Sequence, residues 1–72
     1  MVRIEGQLAD KAVDELASVT DACFARGERI RVDLSGVSFA DRAGADLLRR
    51  LLDRGTVLEG ASSFVHGAIY GD

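Results

Sequence analysis

Apolar and polar residues alternate through Val2, Arg3, Ile4 and Glu5, a pattern that predicts a short half-buried strand ending as Gly6 and Gln7 turn away. The period then lengthens. Leu8, Ala12, Val13, Leu16, Val19, Cys23 and Phe24 recur at helical spacing and predict one apolar helix face, with Asp14, Glu15, Asp21 and Arg26 opposite. Asp10 is the expected N-cap of this helix and Gly27 the residue just past its end. Ile30, Val32 and Leu34 next alternate with Arg29, Arg31 and Asp33, which predicts a second strand with one face toward the helix. Ser35-Gly36 is expected to break that strand, leaving residues 37–40 as a short extended stretch.

Asp41 is placed to accept hydrogen bonds from free backbone N–H groups at the start of a second helix, expected from Arg42 to Arg54. Leu47, Leu48, Leu51 and Leu52 form its apolar stripe, Ala43, Gly44 and Ala45 keep its first turn small, and Gly55 ends it. Residues 56–59 read as another short strand, and Gly60 to Ser63 reset the chain. A last short helix follows, with Phe64, Val65, Ala68 and Ile69 expected to point inward and Gly67 and Gly71 interrupting it. Helices alternating with strands predict an α/β sheet with right-handed crossovers, as a single domain over residues 1–72.

The chain is short enough that one core sustains the fold only marginally, so a cross-link, a metal or a second subunit would each matter. The single cysteine, Cys23, excludes an internal disulfide and reads as a small buried hydrophobe. His66 is the only histidine, and no Cys or His pair has zinc spacing, so neither a metal nor any other cofactor is expected. Oligomerisation is the support left open.

Twelve acidic against nine basic residues give a formal charge of −3, with the signs interspersed, which argues against a nucleic-acid surface. Arg49, Arg50 and Arg54 read as a solvated helix face. The first ten residues lack the apolar core of a signal peptide, and no apolar run approaches the roughly 20 residues that span a bilayer. A cytoplasmic protein without direct membrane insertion is expected.

The run from Ile30 to Gly44, IRVDLSGVSFADRAG, resembles the STAS signature, a strand ending in D-L-S-x-V-x-F followed by D-S-S-G or D-S-A-G. Gly6-Gln7-Leu8 is similar to the family's turn before its first helix, and Gly60 to the turn before its last; together these cover nearly the whole chain. The resemblance implies a small mixed sheet with helices packed on it, shortened here at the N-terminus because only Met1 precedes Val2. The edge so exposed is expected to support a homodimer.

Within this family the resemblance points to the anti-sigma factor antagonists, regulatory modules that dock on an anti-sigma factor of the serine-kinase type. It implies a partner-binding surface at Ser38, Phe39, Asp41, Arg42, Ala43, Gly44 and Ala45, around the start of the second helix. The family's phosphoacceptor serine or threonine lies between that Asp and Gly, where this chain has Arg42 and Ala43, so the usual phosphorylation switch is expected to be absent. Two alternatives stand beside this reading: a small STAS subunit bracing the ATPase of a lipid transporter, and a self-assembling degenerate fragment.

Catalysis is not expected. A nucleophilic Ser or Cys needs an oriented base, and the only histidine lies in the short terminal segment. Asp33 belongs to a strand pattern and Asp41 to a helix cap, so they do not read as an acid–base pair. No phosphate-cradling G-x-x-x-x-G-K-[ST] occurs.

Overall fold

The computed structural model describes residues 2–70, so the Gly71 interruption expected from the sequence lies outside the described residues. Six elements follow one another: β1 (Val2–Leu8), α1 (Lys11–Ala25), β2 (Arg31–Ala40), α2 (Arg42–Asp53), β3 (Val57–Glu59) and α3 (Ser63–Tyr70). The three strands form one sheet in the order β1-β2-β3, with both pairs parallel. The mixed sheet implied by the resemblance is therefore not seen among the described residues. A helix intervenes between successive strands, so each strand returns to the sheet in the same direction.

α1 packs against β1 and α2, and α2 packs against β2 and β3, so these helices lie on one face of the sheet. β3 pairs only with Arg31–Asp33, after which α3 packs against β2 and α2. Between sheet and helices lies a single core of Leu8, Leu16, Ile30, Val32, Leu34, Val37, Leu47, Leu48, Leu51, Val65 and Ile69. The other face of the sheet is charged and wet. Arg3 pairs with Glu5 at 3.3 Å and Arg31 with Glu59 at 3.2 Å, and all four side chains are substantially exposed. That is unusual for a parallel sheet, whose two faces are commonly both covered.

Several local expectations are corrected. β1 does not end at Gly6-Gln7. It continues to Leu8, which is fully buried at the end of the strand rather than at the head of the helix. The strand absorbs its glycine by a positive φ of 83° at Gly6.

Nor does Ser35-Gly36 break β2. Register passes from Arg3↔Asp33 to Glu5↔Gly36, so Leu34 and Ser35 together oppose Ile4, and the turn-like residues make a β-bulge inside a continuous strand. Asp33 Oδ1 accepts a hydrogen bond from the Ser35 N–H at 2.9 Å, supplying a partner to a backbone group at the irregularity. A second shift adds Ser38, and this explains why the buried residues of β2 run Val32, Leu34, Val37, Ala40 rather than in strict alternation.

Asp10 is not a side-chain cap: it holds φ 52° and ψ −121° and makes no cap hydrogen bond. In α1, Val19 is 46% exposed and Thr20 is buried in its place, its Oγ1 donating to the Leu16 carbonyl at 2.9 Å. Back-bonding of this kind lets a hydroxyl face an apolar core. Cys23 is half-buried. α2 begins and ends close to the expected limits, and Arg54 at its end ties it to α1. Its guanidinium lies 3.7 Å over the Phe24 ring and 3.1 Å from Asp21. In α3, Val65 and Ile69 point inward as expected, whereas Phe64 is 58% exposed.

Candidate functional site

The corner singled out by the sequence lies at the C-terminal ends of β1 and β2, where α2 begins. Its foundation is the end of β1. The Asp41 N–H donates to the Leu8 carbonyl at 3.2 Å, and Gly44 lies against that same carbonyl, so the first turn of α2 is seated on the last residue of the strand. Asp41 is extended (φ −76°, ψ −178°), and its Oδ1 accepts from the Gly44 N–H at 2.7 Å. The Ala45 N–H donates to the Asp41 carbonyl at 2.8 Å. Asp41 is thus the N-cap expected from the sequence, with its Oδ1 serving the start of the helix.

The residues expected to bind a partner divide into two sets. Ser38, Phe39, Arg42 and Ala43 are exposed, and Asp41 is half-buried between them. Gly44 and Ala45 are buried, Ala45 at 8% exposure, so they shape the corner from beneath and offer no side chain to a partner. Ser38 Oγ donates to the Gly6 carbonyl at 3.3 Å and so helps to hold the bulged end of β2 against β1. Arg42 takes part in none of the ion pairs found among the described residues.

The sequence reading missed Phe64. Its ring stands 5.7 Å from that of Phe39, tilted by 32°, and both rings are open to solvent at 39% and 58% exposure. Its place was legible in principle: Val65 and Ile69 set the buried stripe of α3 at a spacing of four, and Phe64 lies on the flank of that stripe. Ser62 Oγ accepts from the Val65 N–H at 3.3 Å and fixes the start of α3 so that Phe64 reaches the end of β2.

The corner presents two tilted aromatic rings open to solvent and a cation at the start of α2, beside a helix start whose Asp41 and Gly44 N–H groups are bonded within the fold. Ser38 is hydrogen-bonded to a carbonyl, and among the described residues no group of three or more His, Cys, Asp or Glu could hold a metal ion. No helix among the described residues is long and apolar enough to cross a membrane. Comparison with family models, with curated proteins and with solved structures finds no match.

Proposed function

We propose that the chain is a protein-binding regulatory module resembling an anti-sigma factor antagonist, and that it docks through Phe39, Arg42, Ala43 and Phe64. The exposed Phe39–Phe64 pair beside the start of α2 carries the reading. Aromatic rings and arginine are the residues around which binding energy concentrates in protein interfaces. The ends of parallel strands are also where open α/β sheets most often place ligands. The seating of α2 on Leu8 supports the same reading, because a surface fixed in advance loses little freedom on binding.

By resemblance the partner is an anti-sigma factor of the serine-kinase type, which on docking would release its sigma factor. Arg42 and Ala43 offer no hydroxyl where the family is phosphorylated, so the module stays in its binding form and responds to its own abundance. Capture from native extract on immobilised wild type, Phe39→Ser and Arg42→Glu, read by mass spectrometry, tests the assignment. A serine-kinase-type anti-sigma factor held by wild type and lost with both variants supports it. Recovery of a transporter ATPase, or equal recovery on all three, overturns it. Substitutions at Ala45 are unsuited to this test, since a charge there would enter the core.

A further inference from the structure

Among the described residues β1 is the longer unpaired edge of the sheet, with seven residues against three in β3. The Gly6 carbonyl receives the Ser38 hydroxyl, and the Ile4 carbonyl lies 3.2 Å from where a side chain on Gly36 would begin. Both carbonyls therefore turn toward β2. By the alternation of a strand, the N–H and C=O groups of Arg3 and Glu5 turn to the open edge. Beside that edge, between β1 and α1, runs an open groove of about 260 Å³ whose lining includes Val2, Ile4, Ala12, Leu16 and the exposed Val19 together with the charged Glu15.

We propose that a second copy of this chain closes the edge, pairing β1 with β1 antiparallel about a two-fold axis at Ile4. The charge pattern selects both occupant and register. Arg3 and Glu5 flank Ile4 on the charged face, so the axis sets Arg3 of each copy opposite Glu5 of the other, and Val2 opposite Gly6. Sliding the strands by two residues in either direction sets Arg3 against Arg3 or Glu5 against Glu5, which is unfavourable.

In the matched register the Arg3–Glu5 positions exchange backbone hydrogen bonds. The two Ile4 side chains then form the closer, non-hydrogen-bonded pair on the groove side. An axis perpendicular to the sheet keeps both helical layers on one side, so the two grooves meet and cover Ile4 and Val19. The contact is isologous and closes at two copies, leaving no further β1 edge for a third.

Sedimentation equilibrium from micromolar to millimolar concentration tests this with wild type, Arg3→Glu, Glu5→Arg and an equimolar mixture of the two variants. Both side chains are well exposed, at 63% and 69%, and circular dichroism checks that each variant keeps the fold. The expected result is a wild-type dimer, weakened about tenfold or more by either single reversal and restored in the mixture, where opposite charges again face each other. Only pairing between chains restores the mixture, because the Arg3–Glu5 pair within each variant stays like-charged. A monomer at millimolar concentration, single reversals without effect, or a mixture no tighter than its components would each overturn the proposal.

Discussion

Gly44 lies directly against the backbone carbonyl of Leu8, so the first turn of α2 rests on the last residue of β1 with no room for a side chain between them. A Cβ at position 44 would meet that carbonyl more closely than side chains tolerate, and the obstacle is backbone, which cannot swing aside. Gly44→Ala is therefore expected to destabilise the fold by about 1–3 kcal/mol, the scale of overpacking, although alanine favours a helix by about 1 kcal/mol over glycine. Urea unfolding measures the difference. A gain in stability would mean that α2 is not seated on the strand as described.

Two aspartates stand before helices and are expected to behave in opposite ways. Asp41→Ala removes the bond to the Gly44 N–H and should cost about 1 kcal/mol. Asp10 makes no cap bond and holds a left-handed φ of 52°, so Asp10→Gly should relieve strain and stabilise by about 1 kcal/mol net of the added freedom of the unfolded chain. Thermal unfolding of the two variants side by side checks both signs.

The contrast between those aspartates shows what was legible in the sequence. Asp41 could be read because local chemistry decides it: an acceptor, a small first turn and a leucine stripe all point to one helix start. The element order was legible for the same reason. Leu8 and the Ser35-Gly36 pair were not. Leu8 fits the period of either neighbouring element, and only pairing with β2 places it in the strand. Ser35-Gly36 has turn chemistry, yet the flanking strands impose a bulge where the dipeptide alone suggests a break. Of the candidate site, the sequence pointed to the corner but not to which residues face outward. Burial of Gly44 and Ala45, and the approach of Phe64 to Phe39, depend on how α2 and α3 pack.

The bulge carries its own pH signature. Hydrogen bonds from the Ser35 backbone and side chain, with Arg3 nearby, hold the Asp33 carboxyl below its ordinary value of 3.8. A carboxyl whose folded pKa is depressed stabilises the fold above its unfolded value, and that stabilisation is lost as pH falls through the folded value. The stability gap between wild type and Asp33→Asn is therefore expected to hold through neutral and mildly acidic pH and to close below about 3.8. Urea unfolding at neutral pH and at the acid end measures it, and a gap that persists in acid would contradict the assignment.

Thr56 is 4% exposed, and its Oγ1 has no hydrogen-bond partner among the described residues. A buried hydroxyl without a partner costs more than the methyl group that could replace it. Thr56→Val is expected to raise stability by about 1 kcal/mol, and a loss in urea unfolding would show that the hydroxyl is satisfied in solution.

The central claim is that the corner of Phe39, Arg42 and Phe64 is a protein-docking surface. Calorimetric titration of a purified serine-kinase-type anti-sigma factor with wild type, Phe39→Ser and Arg42→Glu tests it most directly. The account predicts that wild type binds, that each variant binds at least about tenfold more weakly, and that both variants unfold near the wild-type midpoint. Failure of wild type to bind, or undiminished binding by both variants, would contradict it.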